Sequence, residues 1–399
     1  MADFNVPVAR RVLATPELLR NIFFSLNHCD NYRTALVCRA WSEIALDALL
    51  DEVDDICALF NLLAPLKSSE VDGESQLFVR CPTPQDWTNF EKYSRRVKSL
   101  TVECTALLPS ASVFDDIGRT RIRQEILPNM WTLRWLSDLS QGVLFLHSGI
   151  RDLSFRIAVF FIRTACFFGR NITGLKIASL GNSVMDFQPV GCFEAELSTM
   201  FAQLQHLQEV SFPRFWLNAT LCRVLGQLPR LTEVDFEWEE GYGNPLDTVT
   251  FNPISGSEAA SEDVTFPSLT NFGQSAPFSE VARFLASWQG SCRLKILTLA
   301  SQILESADDF HSALVTITNH CPQLTWLALT CLITPYRHHP RPASQPRITL
   351  DTLFLLHKLK HLDCIEISHT LPFALSNEDF LILVREWSQM ETLCFGYDP

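Results

Sequence analysis

The stretch CPQLTWLALTC, from Cys321 to Cys331, contains the pattern that decides the fold of this chain. An apolar residue followed by Pro leads into Leu324, Leu327 and Leu329, which are separated by three and then by two positions. Pro favours a turn, and apolar residues at alternate positions favour a short strand with one buried face. The stretch therefore predicts a turn that leads directly into a strand.

The same apolar spacing recurs along the chain from about residue 96 onwards. Its other members are Val97/Leu100/Val102, Met130/Leu133/Trp135, Ile150/Leu153/Phe155, Ile172/Leu175/Ile177, Leu207/Val210/Phe212, Leu231/Val234/Phe236, Leu269/Phe272, Leu294/Leu297/Leu299, Leu362/Ile365/Ile367 and Met390/Leu393/Phe395. Similar lead-ins with Pro occur as LPNM at Leu127, LPRL at Leu228 and FPSL at Phe266. Each repeat of the pattern predicts one strand preceded by a turn.

Helix-like stretches lie between these triplets. Residues Phe193, Leu197, Met200, Phe201 and Leu204 keep one helical face apolar, as do Phe310, Ala313, Leu314 and Ile317. Ser306 and Ser376 each precede an Asp by three positions, which is typical of a helix start. The central apolar positions are 20 to 38 residues apart, which fits one strand and one helix per repeat. The chain is therefore predicted to be a curved α/β solenoid.

Residues 96–399 resemble a leucine-rich repeat domain, and the resemblance implies about ten or eleven irregular strand-helix repeats. The sequence departs from the family where Asn or Cys ordinarily bonds the backbone of the turn. Those positions hold Thr105, Asp138, Phe215, Glu239 and Leu332. A different irregular helical repeat is the alternative interpretation.

The stretch ATPELLRNIFFSLNHCDNYRTALVCRAWSEIALDALLDEVDD, Ala14 to Asp55, predicts three short helices. Thr15 and Pro16 favour a helix start, and Asp30 or Asn31 is expected to begin the second helix. The apolar residues are Leu18, Leu19, Ile22, Phe23 and Leu26 on the first helix, Ala35, Leu36 and Val37 on the second, and Trp41, Ile44, Ala45 and Leu49 on the third. About forty residues cannot bury all of these internally, so part of this apolar face is expected to dock on a partner or on the repeats.

The same stretch resembles an F-box, in particular the F-box proteins of higher fungi. The matching residues, in order, are Pro16, Glu17, Leu18, Ile22, Phe23, Leu26, Val37, Cys38, Arg39, Trp41 and Ala45. The resemblance implies a substrate receptor of an SCF-type cullin ubiquitin ligase, in which the repeats bind a protein substrate. It also implies adaptor contacts at Pro16, Leu18, Leu19, Ile22, Phe23, Leu26, Leu36, Val37, Cys38 and Trp41. Such a chain has no catalytic role itself and instead holds the substrate close to the ubiquitin-loaded enzyme.

The alternative is a non-ligase scaffold for protein-protein interaction, whose N-terminal helices only cap the end of the repeat stack. In either case residues 1–66 form the helical module, 67–95 a linker and transition helix, and 96–399 the repeats.

Composition narrows the range of partners. The net charge of −13 opposes broad binding to nucleic acid, because such binding relies on Lys and Arg neutralising phosphates. The longest apolar stretches, such as Ile157 to Phe168, are shorter than the roughly 20 residues of a membrane span. Scattered cysteines without a CxxC pair, and an N-terminus without an apolar signal core, predict a cytoplasmic or nuclear protein.

Motifs for catalysis, metals or cofactors are weak in this sequence, so neither an enzyme nor a cofactor is predicted. GYGNPL at Gly241 lacks the last Gly of a phosphate loop, and His338 and His339 have no further ligands at metal-site spacing. Cys38, with His28 and Asp30 upstream, is expected to be an inert buried thiol. Two insertions are candidate substrate loops. The first is acidic and contains Glu239, Glu240 and Tyr242, and the second contains Arg337 and Arg341.

Overall fold

The computed structural model describes residues 12–13, 15–68, 76–103, 108–137, 139–156, 169–178, 193–214, 216–237, 265–288, 290–301, 303, 305–331, 347–369, 372–387 and 390–397. The chain divides into two compact units, Met1–Asn171 and Ile172–Pro399.

The first unit begins with three helices, α1 (Pro16–Phe24), α2 (His28–Ala35) and α3 (Arg39–Leu50). The prediction that Asp30 or Asn31 begins the second helix is wrong. Asn27 caps α2, because its side chain accepts a hydrogen bond from the backbone N–H of Asp30 at 2.9 Å. Asn31 is instead buried, and its Nδ2 donates to the carbonyl of Phe23 at 2.8 Å. A side-chain amide inside α2 therefore donates to a backbone carbonyl at the C-terminal end of α1, which has no partner within its own helix.

Leu19, Phe23 and Ala45 form a small core between α1 and α3, and half-buried apolar side chains surround it. The ring of Trp41 packs edge to face on Phe23 with centroids 5.6 Å apart. The three-helix bundle predicted from the sequence thus has a closed interior of its own.

In the rest of the first unit, the described residues form four parallel strands that pair in chain order. These are β1 (Glu52–Val53), β4 (Ser99–Val102), β5 (Thr132–Trp135) and β6 (Asp152–Arg156). The helical elements are α4 (Ile56–Asn61), α5 (Pro84–Ser94), α6 (Ala111–Thr120) and α7 (Leu139–Gly142), with 3-10 turns at Val143–Phe145 and Gly169–Asn171. Around the predicted linker, β2 (Leu66–Ser68) and β3 (Gln76–Phe78) pair as an antiparallel hairpin.

Arg96 connects the third helix to the first repeat through hydrogen bonds and ion pairs. It follows α5, and its guanidinium donates to the backbone carbonyl of Glu43 at 2.9 Å and to the carboxylates of Glu43 and Asp47 on α3. Strand β1 continues directly from α3 and pairs with β4 through Glu52 opposite Ser99. The helical module is therefore joined to the first repeat by an ion cluster and by backbone hydrogen bonds.

The described residues of the second unit form eight parallel strands. They are β7 (Gly174–Ala178), β8 (Glu209–Phe212), β9 (Glu233–Phe236), β10 (Asn271–Ser275), β11 (Ile296–Ser301), β12 (Trp326–Cys331), β13 (Cys364–His369) and β14 (Thr392–Tyr397), each paired with the next. The helices are α8 (Glu194–Gln203), α9 (Ala219–Leu225), α10 (Phe278–Ser287), α11 (Ala307–His320), α12 (Leu350–Phe354) and α13 (Asn377–Glu386), with 3-10 turns at Ser291–Arg293 and Leu355–Lys358.

All ten predicted triplets and the Leu269/Phe272 pair lead into strands, and the predicted α/β class with strand-helix repeats is confirmed. Their side chains are buried, apart from the half-buried Met390, Leu393 and Phe395 of the last repeat. Helices pack on this buried face, as Phe201 of α8 does on Phe212 of β8 with ring centroids 5.7 Å apart. We call the opposite sheet face the open face. The predicted caps also form, because Ser306 and Ser376 accept hydrogen bonds from the backbones of Asp309 and Asp379.

Glu305 links groups from three repeats, those of β10, β11 and β13. Its Oε1 accepts from the backbone N–H of Phe278 at 2.9 Å and from the hydroxyl of Ser301 at 2.5 Å, and His369 Nε2 lies 3.1 Å from its backbone oxygen. Glu305 is 1% exposed, and burial raises the pKa of its carboxyl. The buried carboxyl of Glu305 thus accepts hydrogen bonds from one backbone N–H and one hydroxyl of the repeats. The turn positions Thr105, Asp138, Phe215, Glu239 and Leu332 lie outside the described residues.

Candidate docking surface

Helix α1 has one buried and one exposed apolar face. Leu19 and Phe23, four residues apart, are 3% and 2% exposed, whereas Leu18 and Ile22 are 43% and 39% exposed. Residues four apart share one face of a helix, so the two pairs form adjacent stripes with opposite environments. Pro16 is also exposed and lies in the first turn of the helix. The module's own core therefore uses only half of the apolar surface of α1.

A second exposed apolar patch lies in the turn between α2 and α3. Leu36 is 72% exposed and Val37 is 60% exposed. Both backbone N–H groups are held in the turn, because Leu36 donates to the carbonyl of Arg33 and Val37 to that of Thr34, each at 3.1 Å. Cys38 follows at the N-cap of α3 and is also exposed. The turn is thus fixed by hydrogen bonds while its apolar side chains face solvent.

These positions divide the predicted adaptor contacts into two groups. Pro16, Leu18, Ile22, Leu36, Val37 and Cys38 are exposed, and we call these six residues the docking surface. Leu19 and Phe23 require correction, because core side chains with almost no exposed area cannot touch a partner directly. Leu26 and Trp41 are half-buried against the same core. Sequence alone could not assign the stripes, since both consist of large apolar residues at helical spacing.

Two exposed apolar residues in the same helices were missed by sequence reasoning. Phe24 is 49% exposed and Tyr32 is 61% exposed. Phe24 ends α1 directly after the buried Phe23, and Tyr32 directly follows the buried Asn31. In each case two neighbouring residues face opposite sides of the helix, and the sequence does not show which of the two faces the core.

Cys38 is exposed, so the expectation of a buried thiol is wrong. Asp30 is engaged elsewhere, because its carboxylate accepts from Asn27 Nδ2 at 2.9 Å and pairs with Arg33 at 3.2 Å. Across the described ranges, no group of three or more His, Cys, Asp or Glu residues is placed to hold a metal ion. Within those same ranges, no helix has the length and apolarity needed to cross a bilayer.

The predicted substrate loops fall outside the described residues. Glu239, Glu240 and Tyr242 lie within 238–264, and Arg337 and Arg341 lie within 332–346. The same holds for Gly241, His338 and His339.

Sequence comparison finds no matching family model and no curated relative. Among solved structures, the chain is similar to the leucine-rich repeat-containing protein LegL7 from Legionella pneumophila. The identity is 15% and the TM-score 0.37, over 76% of this chain and 86% of that one. It is also similar to the TLR13-ssRNA13 complex, with 14% identity and a TM-score of 0.33 over 77% of this chain and 37% of that one. The strand-helix repeat is established by strand register within each unit rather than by these likenesses.

Proposed function

We propose that this chain is the substrate-recognition subunit of an SCF-type cullin ubiquitin ligase. In this role the docking surface binds the small adaptor subunit, which connects the chain to a cullin, and the repeats bind a protein substrate. The chain then acts by proximity, with no catalytic group of its own, in the cytoplasm or nucleus. The carrying observation is that six of the ten adaptor contacts implied by the F-box resemblance are exposed on a bundle whose core is already closed.

The exposed side chains provide apolar surface for docking. Leu18, Ile22, Leu36 and Val37 are the four large members of the docking surface and are 39–72% exposed. Burial of a fully exposed side chain of this size contributes about 1.5–3 kcal/mol, so the exposed parts of the four together contribute on the order of 5 kcal/mol. Association and side-chain ordering oppose this gain, so the remaining contacts of the interface have to supply the rest of the affinity.

Co-purification with the adaptor tests this function. We expect the full chain to retain the adaptor, and a Leu18→Asp/Ile22→Asp variant to lose it, because charged side chains cannot enter an apolar interface without a partner. Leu381→Asp/Val384→Asp on α13 is the matched control, since those side chains are 59% and 60% exposed. Adaptor capture that survives in the first variant with its helices still folded would contradict the proposal.

A second candidate is the scaffold whose helices cap the repeats. The cluster of Arg96 with Glu43 and Asp47, and the pairing of β1 with β4, favour it, since both tie the helices to the first repeat. This function requires no adaptor. It predicts a monomer that is stable without adaptor and that melts when residues 1–66 are deleted, whereas charge substitutions at Leu18 and Ile22 leave every partner interaction unchanged.

A further inference from the structure

Helix α13 differs from the other helices of the second unit in the side chains that it exposes. Within the described residues, the exposed positions of α8 to α12 are occupied by polar residues or alanine. On α13, four large apolar side chains are 39%, 59%, 40% and 60% exposed, namely those of Phe380, Leu381, Ile382 and Val384. The solvent-facing side of a helix is ordinarily polar, so this cluster indicates an interaction surface.

Other residues of α13 attach the helix to its own repeat. Leu383 is fully buried, and the ring of Phe380 packs on that of Phe395 on β14 with centroids 6.1 Å apart. At its start, the helix is capped by reciprocal hydrogen bonds between Ser376 and Asp379. Leu381 precedes Leu383 by two positions, and residues two apart face different sides of a helix. The exposed side of α13 is therefore distinct from the side that packs on the sheet.

A stripe on this exposed side is charged at its two ends and apolar in its middle. It consists of Glu378, Leu381, Ile382 and Arg385, which follow one another at spacings of three, one and three and therefore share one helical face. Glu378 and Arg385 are both exposed. We call these four residues the α13 stripe. Along the helix, the stripe thus presents a negative end, an apolar centre and a positive end.

The α13 stripe is complementary to itself when two copies of the helix run antiparallel. Glu378 and Arg385 are equally far in sequence from the midpoint between Leu381 and Ile382. A twofold axis at this midpoint places Glu378 of each copy opposite Arg385 of the other, with Leu381 opposite Ile382. Antiparallel helix dipoles also attract each other. A parallel pair would instead bring like charges together, so the charges favour the antiparallel arrangement.

We propose that the α13 stripe binds the same stripe of a second copy of this chain and so forms a twofold symmetric dimer. A twofold interface requires a self-complementary surface, because each residue of one copy meets its counterpart's partner on the other. Pairing buries Leu381 and Ile382 of both copies and places an ion pair of Glu378 with Arg385 on either side of them. This inference goes beyond the proposed function and does not depend on adaptor docking.

Sedimentation of the purified full chain at increasing concentration tests this pairing. One ten-residue helix per copy is a small interface, so we expect a monomer–dimer equilibrium with a dissociation constant on the order of 10 μM. Leu381→Asp/Ile382→Asp should remain monomeric, because it introduces charge at the apolar centre of the interface. Leu18→Asp/Ile22→Asp, in the docking surface, is the matched control and should dimerise as the native chain does. A native chain that stays monomeric at about 100 μM, or loss of the dimer in this control, overturns the proposal.

Charge reversal tests the antiparallel register separately from the apolar contact. Arg385→Glu sets two carboxylates against each other at both ends of the interface, so it should weaken dimerisation by roughly tenfold. Glu378→Arg/Arg385→Glu forms both ion pairs again with their signs exchanged and should return the affinity to within about threefold of the native value. Arg283→Glu, at an exposed position of α10, is the matched control and should leave dimerisation unchanged. A double reversal that dimerises no better than Arg385→Glu, or a dimer that survives Leu381→Asp/Ile382→Asp, overturns the proposal.

Discussion

The rings of Phe23 and Trp41 meet edge to face with centroids 5.6 Å apart, and this contact closes the core of the three N-terminal helices. Leu18 and Ile22 lie on the neighbouring stripe of the same helix and remain exposed. The residues that form the core therefore differ from those proposed to dock, although the sequence pattern of α1 presents them as one apolar face. Substitutions can separate the two roles.

Phe23→Ala should destabilise the helical module by about 3–5 kcal/mol, because it removes a fully buried ring and leaves a cavity. Leu18→Ala should change stability by no more than about 0.5 kcal/mol, because that side chain is exposed. Hydrogen exchange of the amides in α1 and α3 measures both effects. Equal loss of protection in the two variants would refute the assignment of the two stripes.

Arg96→Ala should loosen the attachment of the helices to the first repeat. The Arg96 side chain is 18% exposed and bonds two carboxylates and a carbonyl on α3, so its loss should cost about 1–3 kcal/mol. The adjacent Arg95, 54% exposed and paired with Glu91, is the matched control. Urea titration of both variants measures these costs. Arg95→Ala should cost under about 0.5 kcal/mol, because exposed ion pairs contribute little to the free energy of unfolding. Similar costs for both would contradict the role given to Arg96.

Glu305 gives a test of how the repeats are joined. Glu305→Ala leaves the N–H of Phe278 and the hydroxyl of Ser301 without their acceptor, at a cost of about 1–3 kcal/mol. Glu305→Gln keeps an acceptor oxygen and removes a buried titratable group whose pKa is raised by burial, so it should be neutral or stabilising at pH 7. Thermal unfolding distinguishes the two variants, and a larger loss with Gln than with Ala would be inconsistent with this structure.

Asp235 should make stability depend on pH. Burial raises the pKa of its carboxyl to about 6 in the folded chain, from an ordinary value of 3.8. At pH values between these two pKa values, the Asp235 carboxyl binds more protons in the folded chain than in the unfolded chain. The contribution of Asp235 to the free energy of unfolding therefore falls as the pH rises from about 4 to 7, by on the order of 2 kcal/mol.

Asp235→Asn cannot titrate, so its stability relative to the native chain should increase across that interval in unfolding measurements at successive pH values. Glu209→Gln is the control, since Glu209 is exposed at the start of β8. A constant difference between Asp235→Asn and the native chain from pH 4 to 7 would show that Asp235 is not desolvated.

The repeat strands could be predicted because each unit has to bury the same three positions, and this requirement leaves a spacing such as Leu324, Leu327 and Leu329 in the sequence. Strand β1 was not predicted, because its two residues are too few to show alternation. The hairpin of β2 and β3 was read as a linker, since its polar intervening residues are typical of both.

Local and long-range features differed in how far the sequence could indicate them. The docking residues lie within 23 consecutive positions, from Pro16 to Cys38, so a local motif could identify them. A wide pocket on the open face is lined by Asp235, Trp326 and Glu366 from the separate strands β9, β12 and β13. The acidic composition around Asp235 was visible in the sequence, but this long-range register was not.

Titration of the purified adaptor into the full chain tests the central claim most directly. The native chain should bind with a dissociation constant in the micromolar to nanomolar range. Leu36→Asp/Val37→Asp should weaken binding by roughly a hundredfold or more, because two exposed apolar side chains of the docking surface are lost and charge is introduced. Leu381→Asp/Val384→Asp should not weaken it. No binding by the native chain, or equal affinity in the native chain and the Leu36→Asp/Val37→Asp variant, would contradict the account.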